Sequence, residues 1–316
     1  RLISNAAAFG KLAAPAPVPA GGPVADNTVY QASALRNSTT GIGHILFVPY
    51  FTTQGDHATL LNLVNNDQTN GKAVKLRFRG AANSDDLFDI TVYLSPGDVW
   101  SANISRNGAD ELTALSVLTT DDTSCTLPSA AQIKETLGKF STNRVMGNAA
   151  AETREGYVEI LNMADIPPAG PGTLYAAIKH VNGVVPCTQA LMDQQATPLS
   201  LTDPANFPAA RGYSWPTGGL MANWTVVDVA SKASFSGEAV ALNAVTAGGN
   251  PRGAANLVFS PQTGDVVSNV ASLTADPLLK TSLVRAASYD FPDLSTPYTA
   301  IAAGSPEKQA NDLALA

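Results

Sequence analysis

The stretch that decides the fold is Lys72–Arg79, which reads KAVKLRFR. Apolar and charged residues alternate along it, and a period of two is typical of a β-strand with one face in a core. Three apolar side chains share one face: Val74, Leu76 and Phe78. Three basic side chains share the other face: Lys75, Arg77 and Arg79. We expect the basic face to point into solvent, because Lys and Arg are seldom buried.

Seven further segments have the length and composition of strands, with apolar or alternating runs bounded by turn residues. They are His44–Phe51, Ala58–Asn65, Leu87–Leu94, Asp98–Ile104, Tyr157–Met163, Asn223–Ala230 and Phe235–Val245. Asn70-Gly71 is a strong hairpin signal, and Ser95-Pro96-Gly97 predicts another turn in the same meander. The pattern predicts an all-β fold, a β-sandwich-like arrangement of antiparallel strands.

A few short helical insertions complete this prediction. Ser129 and Gln132 have the spacing of a capping box, which predicts a helix over Ala130–Leu137. Two more helices are predicted, over Thr188–Gln195 and 277–285. The segment Thr173–Val181 (TLYAAIKHV) is assigned as a strand.

The N-terminal region differs from the rest because Lys11–Ala25 reads KLAAPAPVPAGGPVA. Alternate prolines favour an extended conformation and resist helix formation. We therefore divide the chain into an extended Pro/Ala-rich arm (1–30), a β-rich globular domain (31–304) and a C-terminal tail (305–316). Two packed β-subdomains within 31–304 are the alternative. The apolar side chains of the arm are candidates for binding a neighbouring subunit: Leu2, Ile3, Phe9, Leu12, Val18, Val24, Val29 and Tyr30.

Charged residues make up only 14% of the chain, against roughly a quarter in ordinary soluble domains. The net charge of −7 argues against nucleic acid as a partner, since nucleic-acid binding needs a basic footprint. No segment approaches the roughly 20 apolar residues of a membrane span. The chain starts at Arg1 without an apolar signal segment, so we expect a mature chain whose targeting segment has been removed.

The two cysteines, Cys125 and Cys187, lie in polar or Pro-containing turns. Neither belongs to a CxxC or Cys/His cluster, which argues against a zinc site. We predict that they form a disulfide, and hence that the protein resides in an oxidising compartment. Two free buried thiols are the alternative.

Motifs of well-known catalytic centres are missing: the sequence has no HExxH, no GxSxG elbow and no Walker A loop. Asp56-His57 is the most catalysis-like pair, but it falls between two predicted strands, where a polar turn is expected. We therefore expect no enzymatic activity, no catalytic metal and no cofactor.

Two features suggest weak calcium candidates. The carboxylates Asp85, Asp86 and Asp89 cluster within a few residues, without the spacing of an EF-hand. The turn Asn65–Gly71 resembles a calcium loop in composition, but it lacks the downstream bidentate Glu. A solvated hairpin turn explains this second feature more simply.

Aromatic residues offer a candidate sugar-binding platform. Tyr213 and Trp215 lie in the loop GYSWPTGG and are the best candidates for exposed, ligand-facing aromatics. Trp100 and Trp224 fall within predicted strands, so we expect them to pack in the core.

Two longer segments carry a resemblance to known sequences: Arg77–Asp86 (RFRGAANSDD) and Val92–Trp100 (VYLSPGDVW). Four shorter patches accompany them: Thr119–Asp121, Ser124–Thr126, Ala275–Leu279 and Asp293–Tyr298. Together, in patches over about 42–300, they resemble a family of poorly characterised exported "cell surface protein" sequences of proteobacteria. The resemblance implies export and a surface location, and it brings no established catalytic residues.

These observations favour a non-enzymatic extracellular subunit that assembles with copies of itself into a surface filament or sheath. Exchange of the N-terminal arm as an added strand between subunits is the expected mode of assembly. A monomeric cell-surface adhesin or glycan-binding module is the alternative, with surface glycans as its partners. A hydrolase is the third class.

Overall fold

The computed structural model describes residues 34–82, 84–142, 145–196, 209–214 and 216–245. They form two antiparallel sheets packed together, with a few short helices at the connections. The predicted all-β, sandwich-like fold is therefore confirmed. The predicted arm, the C-terminal tail and the helix over 277–285 lie outside the described residues.

Twelve strands are described, most of them where the alternating runs predict them. In chain order they are β1 (Ala34–Asn37), β2 (Ile45–Thr52), β3 (His57–Asn65), β4 (Gly71–Gly80), β5 (Asp86–Leu94), β6 (Val99–Arg106), β7 (Ser116–Thr119), β8 (Cys125–Leu127), β9 (Glu155–Ile166), β10 (Leu220–Asp228), β11 (Ala233–Glu238) and β12 (Val240–Val245). The larger sheet has the order β1-β12-β2-β9-β4-β5-β8, and the smaller sheet has the order β11-β10-β3-β6-β7.

Several connections cross from one sheet to the other. The strands β3 and β4 lie in different sheets, so the hairpin predicted at Asn70-Gly71 is wrong. The turn at Ser95-Pro96-Gly97 likewise joins β5 in the larger sheet to β6 in the smaller one. The predicted strand Phe235–Val245 is two strands, because the chain leaves the smaller sheet after β11 and enters the larger sheet as β12. Turn residues indicate only that the chain reverses its direction. The chain reverses in the same way whether the next strand pairs in the same sheet or lies in the opposite sheet.

The main core lies between the two sheets. The inward residues of β4 (Val74, Leu76 and Phe78) pack with Trp100 of β6, and all four are fully buried. Phe78 also lies 5.0 Å from Phe140, measured between ring centroids. The prediction that Trp100 is a core residue is confirmed, and the partly buried Trp224 packs against the same cluster.

Three short helices lie outside the sheets: α1 (Ala130–Gln132), α2 (Leu174–Ile178) and α3 (Gln189–Ala196). The capping box at Ser129 is present, and a wider turn, Ile133–Leu137, continues α1. The assignment of Thr173–Val181 as a strand is wrong. Thr173 caps α2 through its side chain, which accepts a hydrogen bond from the backbone of Ala176. No described helix has the length and apolarity that a membrane crossing requires.

The larger sheet is covered on its second face as well. Ala73 of β4 and Tyr93 of β5 pack there with Leu174 and Ile178 of α2 and Met192 of α3. Every residue of β4 and β5 is buried, whichever face its side chain occupies. The charged side chains of β4 are therefore buried as well.

Candidate functional site

The basic face of β4 is buried, which corrects the expectation that Lys75, Arg77 and Arg79 point into solvent. Carboxylates on the two flanking strands compensate the charges. Arg77 Nη2 lies 3.1 Å from Asp86 Oδ2, and Arg79 Nε lies 3.4 Å from Glu159 Oε2. Charge pairing between adjacent strands lets this face enter the interior, since a buried charge needs a partner of opposite sign.

The carboxylates considered as calcium ligands belong to this buried cluster. Asp85, Asp86 and Asp89 are all buried, and Asp86 and Asp89 both face the guanidinium of Arg77. Burial raises the pKa of Asp89, and the neighbouring charge of Asp86 raises it further against the opposing effect of Arg77. Within the described ranges, no group of three or more His, Cys, Asp or Glu side chains could hold a metal ion.

The turn Asn65–Gly71 is held by its own side chains. Asp67 accepts hydrogen bonds from the backbone nitrogens of Thr69 and Asn70, at 2.8 and 3.0 Å. Asn65 donates to the backbone oxygens of Asn70 and Ser95, both at 2.9 Å. Calcium binding at either cluster stays a prediction.

The predicted disulfide between Cys125 and Cys187 is confirmed. It joins β8, the three-residue strand at the edge of the larger sheet, to the segment that follows α2. The hydroxyl of Ser124, beside Cys125, donates to Asp122 at 2.7 Å. The disulfide therefore links the segment after α2, which covers the larger sheet, to the edge strand β8.

A Ser–His–Asp group that sequence reasoning missed lies near this disulfide. Ser95 Oγ is 2.9 Å from His180 Nδ1, and it donates to Asp98 Oδ2 at 3.1 Å. The same His180 Nδ1 lies 3.5 Å from Asp98 Oδ2. His180 follows α2, so these residues are far apart in sequence, and no local motif announces the group.

The geometry of this group differs from that of a hydrolytic triad. In a triad the carboxylate holds one ring nitrogen and the serine approaches the other. Here Ser95 and Asp98 both contact Nδ1 of His180, and Ser95 also bonds directly to Asp98. Asp98 also accepts a hydrogen bond from the backbone nitrogen of Ser95, at 3.0 Å. The group is suited to closing the turn between β5 and β6.

The pair Asp56-His57 also lies in a turn. His57 Nδ1 is 2.8 Å from the backbone oxygen of Gln54, within the connection between β2 and β3. His57 is paired in register with Asp228 at the far end of β10. The described neighbours of His57 are therefore residues of a turn and of a strand end, as expected for a polar turn.

Tyr213 is buried, contrary to the expectation of an exposed aromatic ring. Its hydroxyl donates to Gln195 of α3 at 2.5 Å and lies 3.4 Å from the hydroxyl of Tyr93. Burial raises the pKa of Tyr93 to about 12. Trp215, its predicted companion, lies outside the described residues. Tyr213 therefore supplies packing and hydrogen bonds rather than a sugar platform.

The outward face of the smaller sheet is broad and poor in charge. Its strands β10, β3 and β6 lie side by side, and alternate residues point away from the core. The outward positions are Ala58, Leu60, Asn62, Val64, Val99, Ser101, Asn103, Ser105, Val117, Thr119, Met221, Asn223, Thr225, Val227, Ser234, Ser236 and Glu238. Glu238 alone is charged among them. We refer to this surface as the neutral face.

Polar side chains on the neutral face are joined across strands. Asn62 donates to Asn223 Oδ1 at 2.8 Å, and Ser101 donates to Asn62 Oδ1 at 2.7 Å. Beside this row, Leu60 is 42% and Val99 is 48% exposed. The face therefore combines ordered amide and hydroxyl groups with accessible aliphatic side chains.

The strand β11 forms the edge of the smaller sheet. In the described part of the chain it pairs with β10 and with no further strand. Its middle residues Ser234, Phe235 and Ser236 are exposed, and Phe235 is 64% exposed. An accessible edge of this kind can accept another extended segment.

A second buried ion-paired cluster lies near the start of β4. Lys72 Nζ donates to Asp165 Oδ1 of β9 at 2.7 Å, and both side chains are buried. Asn162 Nδ2 donates to the same oxygen at 2.9 Å, and Thr217 donates its hydroxyl proton to Asp165 Oδ2. Burial raises the pKa of Asp165, while Lys72, Thr217 and Asn162 act in the opposite direction.

These features define a two-sheet β-protein with a disulfide, buried ion pairs and a neutral outer face. A comparison of the chain with known proteins found no matching protein family, curated relative or solved structure. The resemblance to exported cell-surface sequences therefore stays a prediction.

Proposed function

We propose that this chain is an extracellular structural subunit that assembles with copies of itself into a surface filament or sheath. The observation that carries the proposal is the neutral face of the smaller sheet. Large exposed surfaces of soluble proteins are ordinarily rich in Lys, Arg, Glu and Asp. A sheet face almost without charge is a surface that a protein can bury against another protein at a low desolvation cost.

The partner that best fits the neutral face is another copy of the chain. Each copy carries a net charge of −7, which opposes association, and contact through an uncharged surface adds no close repulsion between charged side chains. The row formed by Asn223, Asn62 and Ser101 offers both donors and acceptors and can therefore pair with an identical row. Leu60 and Val99 would add apolar area to such a contact.

The edge of β11 supports a second, strand-mediated contact in the same proposal. An extended segment from a neighbouring subunit would add to β11 through backbone hydrogen bonds. The N-terminal arm is the proposed donor of that segment. Contacts that are not two-fold symmetric continue from copy to copy, so they produce a filament unless they close into a ring.

Sedimentation velocity over a range of concentrations, with negative-stain electron microscopy of the same samples, tests the proposal. The full chain is expected to form species larger than a monomer, with a repeating filament or sheath in the images. A chain that stays monomeric at the highest concentration reached would contradict self-assembly.

A pair of matched substitutions separates the neutral face from general surface effects. Leu60→Asp adds a charge within the neutral face, and Leu112→Asp adds the same charge at an 86% exposed loop position. We expect Leu60→Asp to lower the sedimenting mass and Leu112→Asp to leave it unchanged, with both variants folded by circular dichroism. Equal behaviour of the two variants would remove the neutral face from the proposal.

Deletion of residues 1–25 tests strand exchange separately. The truncated chain is expected to remain folded and soluble while losing the ability to form filaments. Filaments of unchanged appearance would contradict arm exchange, because the neutral face paired with itself closes as a dimer and cannot propagate a filament alone.

A further inference from the structure

The buried cluster of Lys72, Asn162 and Asp165 joins two neighbouring strands, and its chemistry goes beyond an ion pair. It places a primary amine, a carboxamide and a carboxylate together in the protein interior. We propose that Lys72 and Asn162 form an intramolecular isopeptide bond, with Asp165 carrying the proton from the amine to the departing ammonia. The bond would be a covalent link between β4 and β9.

The hydrogen bonds bring the reacting groups to common oxygen atoms. Lys72 Nζ and Asn162 Nδ2 both donate to Asp165 Oδ1, at 2.7 and 2.9 Å. The same two nitrogens also point to the backbone oxygen of Thr217, at 3.5 and 2.9 Å. The nucleophile and the leaving group are thus held side by side against one carboxylate. Because folding already holds the two groups together, the reaction avoids the entropy cost of a bimolecular encounter.

The reaction balances without an oxidant or a second substrate. Lys72 Nζ first gives a proton to Asp165 and becomes a free amine, which attacks Cγ of Asn162. The Cγ–Nζ bond forms and the Cγ–Nδ2 bond breaks, while Asp165 passes its proton to Nδ2, which leaves as ammonia. The second proton that Nζ loses stays on Asp165. The products are a secondary amide, ammonia and a neutral carboxyl group.

Burial supports both proton transfers. In a dry site, a neutral amine beside a neutral carboxyl avoids the desolvation cost of the corresponding ion pair. Burial raises the pKa of Asp165, which helps this carboxyl group to hold a proton. Thr217 donates to the second carboxylate oxygen and so keeps Asp165 oriented toward the two nitrogens.

The amide of Asn162 is also unusual as a purely structural group. Its Oδ1 is buried and has no hydrogen-bond partner among the described residues. Buried amides are ordinarily paired at both ends, because an unsatisfied acceptor loses the hydrogen bonds that water would otherwise supply. If Asn162 is a reactant, its position is set by the need to present Cγ to Lys72. This need accounts for an Oδ1 atom without a hydrogen-bond partner.

Intact mass spectrometry of the full-length, unreduced chain tests the proposal directly. The measured mass is expected to be lower than the sequence mass by two hydrogens for the disulfide and by one further ammonia. Digestion should then yield a branched peptide in which Lys72 is joined to Asn162, with no tryptic cleavage after Lys72. The full sequence mass less two hydrogens would overturn the proposal.

Two controls keep the assignment specific. Asn70-Gly71, Asn107-Gly108 and Asn182-Gly183 can lose ammonia by forming a succinimide, so the peptide map must locate the loss. Lys72→Met removes the amine but keeps all three Asn-Gly sites, and its mass should show no loss of ammonia from a cross-link. A loss of water with a branch from Lys72 to Asp165 would overturn the choice of Asn162. These outcomes are independent of whether the chain assembles.

Discussion

Gly156 marks a very close approach between β9 and β4. A Cβ atom at this position would lie 1.8 Å from the backbone oxygen of Arg79 and 3.0 Å from Phe51 Cε1. We therefore expect Gly156→Ala to force the strands apart and to lower the free energy of unfolding by about 2–4 kcal/mol. Urea denaturation of the variant and the parent chain measures the difference.

Gly108 provides the matched control for this substitution. A Cβ atom there would meet nothing within 4 Å. Gly108→Ala is expected to leave the free energy of unfolding nearly unchanged. If both alanine variants lost stability equally, the close approach at Gly156 would not be the cause.

The raised pKa of Asp89 predicts a specific pH dependence. A carboxyl whose pKa is higher in the folded chain contributes most to stability below its unfolded pKa of about 4, where it is neutral in both states. That contribution is lost as the pH rises through the folded pKa. Asp89→Asn removes the titration, so the stability of the parent relative to the variant should fall as the pH rises above about 4.

Urea denaturation of both chains at a series of pH values measures this difference. Because the other titrating groups are common to the two chains, the difference reports the titration of Asp89 together with its effect on the neighbouring Asp86. A difference that is constant, or that grows in favour of the parent as the pH rises, would contradict the assignment.

For individual residues, alternation in the sequence predicts correctly which side chains of β4 share a face. It does not predict that the basic face is buried. Val74, Leu76 and Phe78 do face the core. Whether the opposite face meets water depends on what covers it, and here the compensating carboxylates come from strands that no local pattern identifies as neighbours. Asp165, the partner of Lys72, lies 93 residues further along the chain.

At the scale of elements, the disulfide is expected to contribute strongly to stability. It joins residues 62 apart, and closing a loop of that size restricts the unfolded chain by about 4 kcal/mol on the chain-entropy model. The double variant Cys125→Ser, Cys187→Ser should lose a comparable free energy of unfolding. Denaturation with and without reductant measures it.

The reductant supplies the control for the serine variant. It should lower the stability of the parent chain toward that of the double variant, and it should leave the double variant unaffected. A double variant as stable as the oxidised parent would contradict a stabilising role for the bond.

Sequence patterns predict the strands themselves better than the connections between them. The boundaries of β3, β4 and β5 agree with the alternating runs within about two residues. The short helix α2 was missed because its apolar residues fit a strand equally well, and Thr173 acts as its cap. The crossing between β3 and β4 was missed because the turn Asn65–Gly71 suits both a hairpin and a change of sheet.

At the scale of the whole molecule, net charge is expected to control assembly. The chain carries −7 at pH 7 and has a pI of about 4.9. Lowering the pH toward the pI reduces repulsion between copies, so self-association through the neutral face should strengthen. Sedimentation velocity at several pH values measures the change.

Salt supplies the second arm of that experiment. Added salt screens exposed charges beyond about 10 Å at 0.1 M ionic strength, so it should also strengthen association at neutral pH. Association that ignores both pH and salt would contradict electrostatic control, and association that weakens with salt would indicate attraction between opposite charges.

The pairing of β12 with β1 and β2 also constrains the order in which strands can pair during synthesis. Ala34 pairs with Val245 and Ile45 pairs with Leu242, so β1 and one edge of β2 stay unpaired until the last described strand has been synthesised. Contacts this distant in sequence are slow to form, and strands without partners are prone to aggregate in the meantime. Among the described strands, local pairings such as β4 with β5 and β6 with β7 can close earlier. The larger sheet is therefore completed after synthesis has passed residue 245, and a holding chaperone has the most to protect in that interval.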